Sequence, residues 1–256
     1  EENQDYGNYM KKFSDKKIIL KFIKDKNKYL SKNWKVNILN EQFKSQININ
    51  SGINKASINS KKIKKNDIFF AIKGKKNDGN FFIKESLDSG AALAVVNRID
   101  KSTKISNQLL VKNTLNFLTK ISKKVRANTS ASIIAITGSC GKTSLKELLA
   151  NVLKKNSKVS YSPKSYNNKY GVPLSLFNVN QDDDYGIFEI GMDKKGEIDM
   201  LSKIIKPDIG VITNISYAHA KNFENIGQIA NAKSEIINNI NRDGSLVLNA
   251  DDDFYN

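Results

Sequence analysis

One cysteine, Cys140, in 256 residues excludes an internal disulfide and fits a reducing compartment. One histidine, His219, gives imidazole chemistry a single address. Arginine is nearly missing: only Arg98, Arg126 and Arg242 occur, so the formal net charge of +16 is carried by lysine. Such a balance admits nucleic acid as a partner. The lysines, however, are scattered along the chain and form no single stripe with interleaved aromatics. Compositional drift, seen also in the abundant Asn and Ile, and a general attraction for anionic nucleotides account for the charge, and no nucleic-acid partner is expected. No apolar run approaches the roughly 18 residues of a membrane helix, so no membrane insertion is expected. The start, Glu1-Glu2-Asn3-Gln4, has no basic region leading into an apolar core, so a signal peptide is not expected either and a cytoplasmic location is. The missing initiator Met points to a fragment or a processed product.

What is present is enough for two medium domains: 39% of the residues are hydrophobic. Residues 1–44 are polar and lysine-rich and read as an N-terminal appendage, with a helix over 17–30. Residues 45–126 read as a small α/β domain: a buried strand at Asp67–Ile72 closed by Gly74, a turn at Asn77–Asn80, a helix over 82–90, a strand at Ala92–Val96 and a helix over 113–126. From 127 to 256 the pattern is regular. Strands at 133–136, 186–189, 209–213 and 246–248 alternate with helices over 143–155, 197–204 and 226–240. Strands alternating with helices predict a mostly parallel sheet covered on both faces.

The most informative motif is Thr137-Gly138-Ser139-Cys140-Gly141-Lys142-Thr143-Ser144, placed between a buried strand and a helix. Glycines let backbone amides turn inward around phosphate oxygens, and a helix N-terminus adds positive potential. Lys142 would neutralise the outer phosphates and the Thr143 hydroxyl would hold Mg²⁺. The loop is a short variant, because Ile136 stands six residues before the lysine where a glycine is usual. Cys140 has no histidine near it in sequence, which argues against a nucleophile.

Downstream, Glu189 ends a buried strand and is followed by Gly191, which leaves room beside it; an acid at a strand end next to a phosphate loop suits a metal ion. His219 follows the next strand, on the edge where parallel sheets place ligands. Lys233 lies mid-helix among many lysines and reads, on composition alone, as a solvated side chain. The run Ser165–Pro173, with Asn167 and Asn168, reads as a polar turn followed by an extended stop.

Taken in order, these pieces resemble the Mur ligases. The resemblance covers about residues 57–256. It rests on the short loop Thr137–Thr143, Asn167-Asn168 with Gly171-Val172-Pro173, Glu189-Ile190-Gly191, Lys206–Ile209, Thr213-Asn214, Ala218-His219, Ala232–Glu235 and Leu248–Asp252. In the front part, Ser60–Ile63, Asp67–Gly74 and Asp78–Phe82 resemble the family's UDP-substrate domain. Lys61 stands where arginine is usual and Asn80 where histidine is usual; lysine keeps the charge and loses the bidentate fork. Residues 3–17 faintly resemble the tail of another ligase of the family.

The resemblance implies an ATP-dependent amide ligase of peptidoglycan-precursor synthesis. A UDP-N-acetylmuramoyl-tripeptide carboxylate attacks the γ-phosphate, and the amine of D-alanyl-D-alanine displaces phosphate from the acyl phosphate. It implies ATP contacts from residues 137–144, Asn167 and Asn168, and substrate contacts from Ser60, Lys61 and Asn214. It also implies two Mg²⁺ ions, with Thr143 and Glu189 at the first and His219 and a carbamylated Lys233 at the second. A monomer is expected, and the family's third, C-terminal domain is expected to be absent, leaving nucleotide binding weak and turnover small. Two other functions remain open: another ligase of the folylpolyglutamate type, or a basic nucleotide- or nucleic-acid-binding fragment without catalysis.

Overall fold

The computed structural model describes residues 34–43, 52–74, 77–217 and 222–254. Two compact units divide at Ile53. The first contributes the helix α1 (Trp34–Phe43), in which Ile38 and Leu39 are buried. The expected helix over 17–30 lies outside the described residues.

The second unit, Asn54–Asn256, holds two parallel sheets. The smaller has four strands in the order β1 (Ala56–Ser57), β2 (Ile68–Phe70), β3 (Leu93–Val96), β4 (Gln108–Leu110). The helix α2 (Ile83–Asp88) covers it through Ile83, which packs with Phe69, Ala94 and Val96. The longer helix α3 (Thr114–Asn128) starts at Asn113, whose side chain accepts from the Asn116 amide as an N-cap.

The larger sheet is built from β5 (Ser132–Thr137), β6 (Val159–Tyr161), β7 (Tyr185–Glu189), β8 (Ile209–Ile212) and β9 (Ser245–Leu248), in the order β6-β7-β5-β8-β9. Alternate residues of β5 feed two cores. Ile133 and Ala135 meet α5 (Gly171–Phe177), α6 (Glu197–Ile205) and α7 (Ile226–Ser234); Ile134 and Ile136 meet α4 (Lys142–Leu153). A side chain of this size contributes roughly 1.5–3 kcal/mol when fully enclosed. Strand order reverses at β5, so the crevice beyond the carboxyl ends of β5, β7 and β8 is the natural ligand site.

Two expectations change. Residues 171–173 do not stop the chain; they open α5, because proline is tolerated in a helix's first turn, where its missing amide goes unneeded. The 226–240 helix is α-helical only to Ser234 and then tightens into a 3₁₀ turn over Glu235–Asn239. Helix α3, placed at the end of the front domain, makes contacts on both sides. Its Phe117 meets Phe70 (6.3 Å between ring centroids), Thr114 Oγ1 donates to the Ala71 carbonyl, Ser122 Oγ donates to the Pro173 carbonyl, and Arg126 grips Asp208 through both carboxylate oxygens (3.0 and 2.9 Å). A second tie is the Asn178 amide, which accepts from Ala56 N–H (2.6 Å) and donates to Ala56 C=O (3.0 Å) on the free edge of β1. Among the described residues no helix is long and apolar enough to cross a membrane.

Candidate functional site: a phosphate loop and a strand-end acid

The chain leaves β5 at Gly138, with φ +143°. A Cβ there would fall 1.9 Å from Thr213 Oγ1 and 3.0 Å from Thr213 N, so only glycine lets the loop approach the end of β8. Gly141, with φ +80°, precedes the first turn of α4. The β8 loop holds the turn in shape. Ser139 N–H donates to the Asn214 carbonyl and Cys140 N–H to Asn214 Oδ1 (both 2.9 Å), while Thr213 Oγ1 donates to the Cys140 carbonyl (2.6 Å). Ser216 N–H donates to Ser139 Oγ, which donates in turn to the Ser216 carbonyl. Lys142 Nζ arches back over the loop to the carbonyls of Gly138 (2.7 Å) and Ser139 (3.1 Å). The amides of Lys142, Thr143 and Ser144 lie in the helix's first turn, which has no intrahelical acceptors for them.

Glu189, at the end of β7, is 2% exposed. Its Oε2 accepts from Thr143 Oγ1 (2.7 Å) and its Oε1 from Asn167 Nδ2 (2.8 Å). Its own N–H donates to Ser162 Oγ (3.3 Å). Gly191 makes this possible: a Cβ there would meet Asn167 Cγ at 2.9 Å, and Gly191 N–H donates to the Asn167 carbonyl. The space that sequence assigned to Gly191 is filled by Asn167. Asn168 serves the backbone, its Oδ1 accepting from the N–H groups of Tyr170 and Gly171 at the start of α5.

Lys233 is the main surprise at residue level: the solvated reading fails, since the side chain is 2% exposed on the inner face of α7. Burial foremost, and then the Lys142 ammonium, lower its pKa to about 8, with Cys140 acting in the opposite sense. Cys140 itself is exposed. His219 lies outside the described residues. Ser60 and Lys61 sit in a 3₁₀ turn after β1, Ser60 buried and Lys61 exposed, about a cavity of some 860 Å³ that Lys61 lines with Tyr166 and Asn178. Sequence reasoning missed Lys146 and Ser162, both fully buried beside Glu189. A lysine one turn after Thr143, on the same helical face, was the available signal.

A parallel sheet with its strand order reversing at β5, a glycine loop running from β5 into a helix, and an acid at the end of the neighbouring strand define a P-loop nucleotide-binding domain. Residues 136–256 match the model of the Mur ligase middle domain. Over 223 residues the chain is 36% identical to the UDP-N-acetylmuramoyl-tripeptide–D-alanyl-D-alanine ligase of Rickettsia prowazekii, covering 87% of this chain and 49% of that protein. That match is longer than the stretch 57–256 and so reaches into the region upstream of it. Among solved structures, MurF from Acinetobacter baumannii superposes with a TM-score of 0.74 at 31% identity over 86% of this chain and 49% of that one. MurF from Thermotoga maritima in complex with ADP gives 0.66 at 33% identity, over 77% and 46%. The matched region, residues 136–256, belongs to the Mur ligase family. The chain spans about half the length of the curated relatives it matches.

Proposed function

We propose that this domain binds MgATP for an amide ligase that joins D-alanyl-D-alanine to a UDP-N-acetylmuramoyl-tripeptide in the cytoplasm, the reaction for which its relatives are named. The observation that carries the reading is the Thr143–Glu189 contact of 2.7 Å in the first turn of α4, where the amides are open and Lys142 is the neighbouring residue. A hydroxyl and a carboxylate, hard oxygen donors side by side, fit Mg²⁺, which binds through few protein ligands and keeps its remaining positions for water and phosphate oxygens. Among the described residues no three His, Cys, Asp or Glu side chains form a closed metal cage, in keeping with that economy. When bound, magnesium supplies positive charge against the triphosphate.

The chain's own residues do the rest. The residue 137–144 backbone and Lys142 hold the phosphates in line. Lys142 offsets the repulsion between an incoming carboxylate and the γ-phosphate, and that is where the chief barrier to acyl-phosphate formation lies. Asn167 and Asn168 keep the wall opposite the loop in place, Asn214 fixes the loop from behind, and Ser60 and Lys61 face the UDP end of the substrate. Thr143 and Glu189 hold the first ion; His219 and Lys233 hold the second. Carbamylation of Lys233 needs a neutral amine to attack CO₂, and a pKa of about 8 provides a substantial neutral fraction near physiological pH. The carbamate turns a buried cation into a carboxylate-like ligand.

Phosphate release by the full-length product, with MgATP, UDP-N-acetylmuramoyl-tripeptide and D-alanyl-D-alanine, tests the reading. Release dependent on both substrates and abolished by Lys142→Ala is expected. Release indifferent to either substrate would remove the ligase assignment. Stripping bicarbonate should lower the rate and restoring it should recover the rate; indifference to bicarbonate would exclude the carbamate.

A further inference from the structure

Among the described residues, Lys146 is the one lysine besides Lys233 among the largest fully buried side chains, and the reaction as described gives it no part. It lies on α4 one turn beyond Thr143, so both point to the same side of the helix. Its ammonium is completely enclosed. It donates a hydrogen bond to the Lys164 carbonyl and lies within ion-pair range of Glu147 Oε1 at 3.4 Å and Glu189 Oε2 at 3.8 Å. Lys164 has φ +49°, a left-handed conformation that a lysine adopts only when its surroundings hold it there. Three residues further along the same loop, Asn167 donates to the other oxygen of Glu189.

These contacts close a ring from Glu189 to Lys146, through Lys164 and the loop to Asn167, and back to Glu189. We propose that Lys146 is a positioning residue for the metal-binding carboxylate. It draws Glu189 Oε2 toward the Thr143 side by ion-pair attraction and tethers the loop that orients Oε1. Glu189 is 2% exposed, so the groups packed against it, and not solvent, set its orientation. The inference rests on Glu189 being a metal ligand, as proposed above.

The test measures binding of a fluorescent ADP to the 256-residue chain over a Mg²⁺ titration and again in EDTA. It compares wild type, Lys146→Met, Glu189→Gln and the double variant, with folding followed by circular dichroism. In Lys146→Met the Mg²⁺ concentration for half-maximal binding should rise at least tenfold, and metal-free affinity should change less than threefold. In the Glu189→Gln background the same substitution should change either quantity less than twofold, because the carboxylate through which it acts is gone. If Lys146→Met fails to fold while the double variant folds, the coupling is supported, since removing both charges leaves neither unpaired. An unchanged Mg²⁺ requirement in folded Lys146→Met overturns the proposal. So does an equal loss in the Glu189→Gln background, or failure of both lysine variants to fold. A wild type whose ADP binding ignores Mg²⁺ would instead remove the reading of Glu189 as a ligand, an outcome distinct from these.

Discussion

At the scale of single residues, the site depends on two glycines for different reasons, and the difference can be measured. Gly138 has no space for a Cβ, whereas Gly141 faces open space and needs only its positive φ. Gly138→Ala should therefore abolish nucleotide binding and destabilise the chain by about 2–4 kcal/mol, as a core clash does. Gly141→Ala should cost only about 1–2 kcal/mol, the left-handed penalty of a Cβ. Thermal melts read both; equal losses would show that the Thr213 contact is not the controlling one. Lys233 makes a pH prediction. Its folded pKa of about 8 lies below the ordinary lysine value of 10.5, so between those values the unfolded chain holds the extra proton. Stability contributed at this position should rise with pH across about 8 to 10.5, by a few kcal/mol at most. In CO₂-free, metal-free buffer the difference between wild type and Lys233→Met should follow that rise, and a flat difference would disprove it. The burial of Lys146 and Lys233 was not legible from sequence, although the spacing of Lys146 from Thr143 gave a hint. A helix records which residues share a face, and both Lys146 and Lys233 sit on faces whose neighbours come from distant parts of the chain. The glycine loop was legible because its geometry is set locally, by Gly138, Gly141 and the flanking strand and helix.

Among the elements, long apolar runs declared themselves. Strands β2, β3, β5, β7 and β8 lie within a residue or two of where their hydrophobicity places them, and parallel pairing followed from the helices between them. Strand β6 escaped notice because its three residues are all only partly buried and carry no apolar run. Helix α5 escaped because asparagines and a Gly-Val-Pro run look like a turn; its seven residues are all buried, and the packing they find on α3 outweighs weak local preference. The Arg126–Asp208 pair locks α3 to the start of β8, where Asp208 Oδ2 also accepts from Ile133 N–H (2.7 Å). Arg126→Lys keeps the charge and loses the fork, so a loss of about 1–2 kcal/mol in chemical denaturation is expected, close to that of Arg126→Met. Full retention of stability by the lysine variant would show that charge alone suffices.

At the scale of the whole second unit, the two sheets share buried contacts. Phe70 from the smaller sheet lies between Phe117 on α3 and Phe177 on α5, with centroid separations of 6.3 and 5.9 Å. An aromatic set of this kind ties the folding of one sheet to that of the other. Residues 54–256 should melt in one transition, raised as a whole by MgADP, with about 2.7 kcal/mol of added stability at a ligand concentration one hundred times Kd. Two calorimetric peaks, only one of them responding to nucleotide, would contradict this. The +16 charge suits an anionic substrate, and nucleic-acid binding, if it occurred, would weaken steeply with salt and survive Lys142→Ala.

The amide of Asn178 has a consequence away from nucleotide chemistry. An open sheet margin invites a foreign chain to zip onto it, the first step toward fibres or swapped dimers. Here the outward N–H and C=O of Ala56 are already taken by a side chain that imitates a neighbouring strand for one residue and then turns away. The molecule thus closes this border with a single asparagine. Removing it should show first as clumping during refolding.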